Sequence, residues 1–155
     1  MRIRPFTPPD IPSILAIQAG AGLGDGWRET DYLALAHSEG LIVVAEAEEE
    51  TASTLIGFLA LRRALDEAEI LTLAVDARHR RLGAGRALVR AACEWMRVQG
   101  IATAYLEVRA SNAAAIRLYS SAGFAFHSAR KGYYHNPEDA ACIMRLNIRS
   151  PSCPG

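Results

Sequence analysis

The sequence has no excess charge: 17 Lys and Arg balance 17 Asp and Glu in 155 residues. That argues against nucleic acid or an anionic membrane as a general partner. Cysteine is scarce as well. Cys93, Cys142 and Cys153 are odd in number, widely spaced and form no CxxC, so a reduced compartment fits better than a disulfide framework. No apolar run approaches the length of a membrane span. The N-terminal stretch carries Asp10 and two early prolines rather than a signal-peptide pattern, and a cytoplasmic protein is expected. His79, His127 and His135 show neither HExxH nor any paired spacing, so no metal is expected. There is no GxGxxG and no GxxxxGK[ST], which removes the dinucleotide and Walker fingerprints. No repeat and no second domain is visible.

What remains is a chain of one-domain length with half its residues apolar. Arg2 to Phe6 alternates as a first strand. Thr7-Pro8-Pro9-Asp10 opens a helix whose face carries Ile11, Ile14, Leu15 and Gln18. Ala19 to Gly26 breaks that helix. The glycine-rich run follows a helix rather than a strand and lacks GK[ST], so it is expected to be a loop. Trp27 and a short helix from Thr30 to Ser38 come next. Leu41–Glu46, Thr54–Arg62 and Glu67–Val75 read as three strands of an antiparallel meander, with Glu48 to Glu50 in a solvated turn. A helix begins after Gly85 and ends at Gly100. Its core face includes Leu88, Ala92, Trp95 and Met96; Arg86, Arg90, Glu94 and Arg97 lie opposite. Ile101–Val108 is the next strand, and strand–helix–strand predicts a right-handed parallel crossover. Ser111-Asn112 caps a helix over Ala113–Ala122, which Gly123 stops. Phe124–Ser128 is expected as a strand, Arg130–Glu138 as a loop and Ala140–Ile148 as the last strand. The domain is expected to span residues 1–149, with Ser150–Gly155 a disordered tail.

One segment carries chemistry. Arginines crowd Arg78 to Arg86 around Gly83 and Gly85 at a strand-to-helix junction. Free amides, the positive end of a helix dipole and the absence of side chains at glycine are a recipe for holding phosphate.

This Arg80-x-x-Gly83-x-Gly85 pattern resembles the R/Q-x-x-G-x-G acetyl-CoA signature of the GNAT N-acetyltransferase superfamily. Tyr105 to Phe124 (YLEVRASNAAAIRLYSSAGF), Arg130, Tyr133-Tyr134 and the segment from Glu138-Asp139-Ala140 through Met144 resemble a narrower group, the RimI-type ribosomal-protein alanine N-acetyltransferases. The resemblance spans Ile70 to Leu146. It implies an α/β (α+β) GNAT fold: a mixed, mostly antiparallel sheet with a splayed parallel central pair, flanked by helices. It implies acetyl-CoA as co-substrate. Backbone groups of Leu73, Ala74 and Val75 would pair with its pantetheine amides like an added strand. The amides of Arg81, Leu82, Gly83, Ala84, Gly85 and Arg86 would face its pyrophosphate, and Asn112 would also contact it. The matching Glu107 is implied to be the general base and the matching Tyr119 the general acid. The implied acceptor is the N-terminal alanine of a small-subunit ribosomal protein, with no direct nucleic acid or membrane partner; a monomer is favoured.

The residue types suit that chemistry. Strand alternation puts Tyr105, Glu107 and Arg109 on one face. An α-amine of pKa near ~8 is roughly a tenth neutral at pH 7, a lysine near ~10.4 under ~0.1%, so a single carboxylate base is better matched to an α-amine. A lone carboxylate is a weak base for an ammonium and must be partly desolvated or act through water. A tyrosine near ~10 would protonate a thiolate near ~8.5 uphill by about 2 kcal/mol, so hydrogen bonding describes its role better. A backbone N–H near Val75 is expected to meet the oxyanion. Cys93, among core positions, is not expected to be a nucleophile. Trp27 and Tyr133-Tyr134 are candidate walls of a peptide groove. Two alternatives remain open: an acetyltransferase for a small-molecule amine, and an acetyl-CoA-binding module without catalysis.

Overall fold

The computed structural model describes residues 1–23, 26–135 and 138–149. The tail expected over 150–155 lies outside them, as do two positions of the glycine-rich loop and two of the segment before the last strand. Among the described residues seven strands form one sheet in the order β1-β2-β3-β4-β5-β7-β6. In chain order they are β1 (Arg2–Pro5), β2 (Gly40–Glu48), β3 (Ser53–Ala64), β4 (Glu67–Val75), β5 (Thr103–Arg109), β6 (Ala125–Tyr134) and β7 (Asp139–Asn147). Four α-helices accompany them: α1 (Ile11–Gly20), α2 (Glu29–Ala36), α3 (Ala84–Val98) and α4 (Ala113–Ser121). Every neighbouring pair is antiparallel except β4 and β5.

Side-chain periodicity divides the apolar residues between the two faces. On one face α1 and α2 bury Ile14, Ile17, Tyr32 and Leu35 against Ile42, Val44, Phe58 and Ala60. On the other, α3 places Leu88, Val89, Ala92, Cys93 and Met96 over Val43, Ile56, Leu59 and Leu61, and Tyr119 of α4 joins the same cluster. The helix α3 follows the expected stripe, widened by Val89 and Cys93. Trp95 is only half-buried at its margin.

The sheet begins with a charged anchor. On β1, Arg4 donates from Nη1 and Nη2 to Asp10 at 2.8 Å each, and from Nε to Glu46 on β2 at 2.7 Å. Asp10 also accepts from the Thr7 amide at 2.7 Å, which caps the 3₁₀ turn Pro8–Asp10 leading into α1. The Arg4 hydrogen bonds hold both carboxyls below their ordinary range. A lowered folded-state value stabilises the protein above the unfolded carboxylate range, near ~4, and that stabilisation disappears as pH falls through the folded value. Arg4→Ala is therefore expected to lower unfolding free energy by about 2 kcal/mol at pH 7. The deficit should shrink steadily below about pH 4. Urea melts at pH 7 and pH 3 check this; an equal deficit at both would exclude the ionic origin.

Two irregularities shape the centre of the sheet. Between β3 and β4 the register runs Ala60↔Thr72 and then Leu61↔Ile70, so Leu71 is an extra residue on β4. A bulge of this kind shifts the alternation of everything beyond it. Ala68 and Ile70 face the α3 side before it; Leu73 and Val75 face that side after it, while Leu71 and Ala74 pack on the other. At the same place the parallel pairing stops. β4 and β5 are joined only from Glu67↔Thr103 to Ile70↔Leu106, and Leu71–Val75 diverges from Glu107–Arg109.

The segment expected as a loop over Arg130–Glu138 is largely strand: β6 continues to Tyr134. It pairs with β7 at Arg130↔Ala141 and again at Tyr134↔Asp139, with surplus residues between. The charged and glycine-containing composition at 130–132 hid the pairing, because an edge strand needs no apolar alternation on its open side.

Candidate active site

The gap between β4 and β5 organises the site. On its β4 wall the Asp76 amide donates to the Ile56 carbonyl at 2.8 Å. Antiparallel ladders alternate bonded and non-bonded pairs, so Ala74 opposite Phe58 turns its backbone groups to β3. Leu73 and Val75 turn theirs toward the gap. Of the three residues expected to offer backbone groups here, two face the gap and Ala74 does not. Arg80 Nε donates to the Val75 carbonyl at 3.3 Å, folding the arginine back over the strand end.

Beyond Val75 the chain enters a turn with two left-handed residues, Arg81 (φ 64°) and Gly83 (φ 86°). Turns of this kind direct successive amides into one concavity, an anion-binding nest. Gly83 is the N-cap of α3, and the first-turn amides of a helix have no partner one turn back. A Cβ on Gly83 would meet nothing within 4 Å; the glycine is required there for its backbone conformation. Gly85 is required for another reason. A Cβ there would stand 3.2 Å from Leu118 Cδ2 of α4, so Gly85 seats α3 against α4. Close approach of a ligand was the expectation for both glycines; the protein's own geometry accounts for Gly83 by its left-handed backbone and for Gly85 by helix packing. Leu82 is 67% exposed, an apolar side chain left at the mouth of the turn.

The β5 wall carries Glu107 at the level where pairing with β4 has ended. Leu106 and Val108 are buried beneath it, which turns Glu107 to the opposite face as alternation requires. Its Oε1 lies 3.6 Å from Nη1 of Arg130 on β6. The Arg130 guanidinium also sits over the Tyr133 ring at 4.1 Å, and Arg109 sits over Tyr134 at 4.3 Å. Burial raises the Tyr134 hydroxyl above its ordinary value, and the Glu107 charge adds to that. Tyr133 and Tyr134 meet edge to face, with centroids 5.1 Å apart. Two of the three residues expected as groove walls thus stand beside the carboxylate, in contact with cations.

Tyr119 comes from α4 and is 7% exposed, with its ring against Phe124. Burial pushes its hydroxyl up to about 12, so it is a protonated donor at any physiological pH. Asn112 caps α4 by accepting from the Ala115 amide at 3.1 Å. Asp139 ties this corner to β7, accepting from the Ser111 hydroxyl at 2.5 Å and the Ser111 amide at 3.2 Å. Across the sheet, Trp27 is fixed through the buried polar pair Gln18–Tyr32. Gln18 Nε2 donates to the Trp27 carbonyl at 2.9 Å, and the Tyr32 hydroxyl donates to Gln18 Oε1 at 2.5 Å.

Several of these partners are not readable from sequence. The Arg130–Glu107 contact joins β6 to β5 across β7, and the Arg80 bond depends on a turn conformation. A groove of about 440 Å³ between α3 and α4, lined by Arg86, Val89, Arg90, Cys93 and Leu118, also appears only once the helices are packed. Its signal was the i, i+4 pair Arg86 and Arg90, which the sequence places with Glu94 and Arg97 on the face opposite the core stripe. No group of side chains able to hold a metal is present among the described residues. No helix among them is long and apolar enough to cross a membrane.

A splayed parallel pair, a left-handed turn opening a helix at one end of the gap and a carboxylate on the facing strand define a type of protein. Residues 12–124 match the acetyltransferase (GNAT) family, and the chain belongs to that family. It is 46% identical over 86 residues to the [ribosomal protein bS18]-alanine N-acetyltransferase of Escherichia coli (strain K12), a match covering 54% of this chain and 58% of that protein. The chain thus spans little more than half the length of the curated relatives it matches. The crystal structure of the ribosomal-protein-S18-alanine N-acetyltransferase from Escherichia coli superimposes with a TM-score of 0.82 at 33% identity, covering 95% of this chain and 93% of that one. The structure of Ard1 from Thermoplasma volcanium gives a TM-score of 0.80 at 30% identity, covering 96% and 98%.

Proposed function

We propose that this chain transfers acetyl from acetyl-CoA to the N-terminal α-amine of a protein, the N-terminal alanine of a small-subunit ribosomal protein, by direct attack within a ternary complex. The observation that carries this is the gap itself: Leu73 and Val75 turn backbone groups toward it on one wall, the Arg81–Gly83 turn stands at its end, and Glu107 lies on the other wall. The donor set fits a pantetheine pyrophosphate. Backbone amides and carbonyls match the arm's amides, and a concave turn of N–H groups at a helix entrance matches the diphosphate. The α3–α4 groove with Arg86 and Arg90 offers cations and apolar surface for the nucleotide end.

When bound, acetyl-CoA supplies an acetyl thioester. Glu107, through water, takes a proton from the acceptor ammonium, which frees the nitrogen lone pair to form the N–C bond; the nitrogen's second proton then leaves to water as the C–S bond breaks and the sulfur departs as thiolate. The Val75 N–H, turned toward the gap, serves as the oxyanion donor in this reading. Tyr119 donates a hydrogen bond to the departing sulfur. With its hydroxyl near 12, well above a thiol at ~8.5, it stabilises the thiolate better than it protonates it. No residue becomes acylated, in keeping with Cys93 buried at 3% exposure. The acceptor reading is supported by the names of the relatives and by Tyr133 and Tyr134, aromatic residues beside Glu107. Mass spectrometry of protein N-termini from cells with and without this protein tests it. Loss of acetyl from an alanine-led ribosomal N-terminus is expected. If N-termini stay unchanged while a free metabolite amine loses its acetyl group, the small-molecule alternative holds.

A further inference from the structure

Glu107 is asked to receive a cationic ammonium, yet in this structure its carboxylate already has a cation beside it. Arg130 Nη1 stands 3.6 Å from Glu107 Oε1. A guanidinium cannot give up its proton at physiological pH, so Arg130 contributes nothing to proton removal. It can only occupy the place. We propose that Arg130 is a stand-in for the substrate ammonium: it neutralises Glu107 while no acceptor is bound, is displaced by the incoming α-ammonium, and returns once acetylation has removed that charge. This rests on the reading of Glu107 as the acceptor's partner.

Three features make the exchange feasible. The pair is accessible, with side chains 55% and 30% exposed for Arg130 and Glu107, so water and substrate reach both. The Arg130 guanidinium already lies over the Tyr133 ring at 4.1 Å while it faces Glu107, a contact that keeps part of its stabilisation once another cation takes the carboxylate. The strand that carries it has slack: between Arg130↔Ala141 and Tyr134↔Asp139, β6 holds more residues than β7, including Gly132 at φ 63°. Extra residues on an edge strand let the side chain move without breaking the ladder on either side.

The exchange sorts ligands by charge. An unmodified N-terminus brings a cation that competes for Glu107. An acetylated N-terminus is a neutral amide and does not, so Arg130 closes over the carboxylate behind the product.

Calorimetric titration of the CoA-loaded protein with an alanine-led peptide and with the same peptide N-acetylated tests this. Arg130→Gln is expected to tighten binding of the free-amine peptide about two- to five-fold, the range for an exposed ion pair, and to leave the acetylated peptide unchanged. Arg130→Lys, which keeps a cation, should lose most of that gain. In a Glu107→Gln background the gain should vanish. Weaker binding of the free-amine peptide would mean that Arg130 holds it directly. An equal gain for both peptides would mean simple steric release, and no change would mean that the pair is idle; each overturns the proposal. Because these readouts are affinities, they stand apart from the assignment of Glu107 as base, which is judged on turnover.

Discussion

Glu107→Gln is expected to lower turnover of an alanine-led peptide about 10²–10³-fold with acetyl-CoA affinity nearly unchanged, the loss typical of removing one positioned proton acceptor. The isosteric amide keeps the size of the side chain and removes its charge. Glu107 sits on the upper face of β5 with Leu106 and Val108 buried below, so the substitution leaves the core intact. The deficit should depend on pH. Near pH 7 only about a tenth of an α-amine is neutral; above about pH 8 most of it is. The variant should therefore recover part of its lost rate as pH rises, because the acceptor arrives already deprotonated. Initial rates from pH 6.5 to 9, with acetyl-CoA binding measured alongside, decide it. Full activity at pH 7 would remove Glu107 from the mechanism.

The second large effect separates the two glycines. Gly83→Val puts a β-branched residue at φ 86°, a conformation that costs an L-residue about 1–2 kcal/mol and that a branched side chain resists most strongly. The turn that aims the amides is lost, and acetyl-CoA affinity is expected to fall at least tenfold while the rest of the fold persists. Gly85→Val acts through the core. Its Cβ lies 3.2 Å from Leu118, so the larger side chain pushes α4 from α3 at about 1–3 kcal/mol. Gly85→Val should therefore lower the melting temperature together with affinity and displace the helix that holds Tyr119. Thermal melts with and without acetyl-CoA distinguish the pair. Equal melting temperatures and equal affinities in the two variants would mean that a single mechanism serves both glycines.

How far these assignments could be read from sequence depends on the range of the interactions behind them. The apolar strand runs 41–46 and 54–62 and the helix stripe through Leu88 and Met96 are local patterns, and the structure reproduces them with ends shifted by a few residues. Glu67–Val75 is found with the expected bounds. The order of elements was legible for the same reason. What was not legible depends on register. Nothing local marks Leu71 as surplus; it is defined only against Leu61 and Ala60. That surplus in turn decides that Leu73 and Val75, rather than Ala74, face the gap. The expectation of a loop at 130–138 missed the second half of β6, because Lys131 and Gly132 have no strand signature of their own. The family pattern pointed to Glu107 and Tyr119 as single positions. It carried no information that Arg130 lies against the first or that burial raises the second.

The extra residue at Leu71 has a consequence for how the sheet is completed. A strand in phase with β5 throughout would continue the ladder past Ile70 and use its hydrogen-bonding groups internally. Out of phase, β4 begins as a partner of β5 and ends as an unfinished edge in the middle of the sheet, where an exposed edge is ordinarily a hazard. On the reading proposed above, that edge is where an extended, amide-bearing ligand adds as a further strand. A one-residue insertion, placed where parallel pairing stops, thus separates a sheet that pairs throughout from one that opens at its centre.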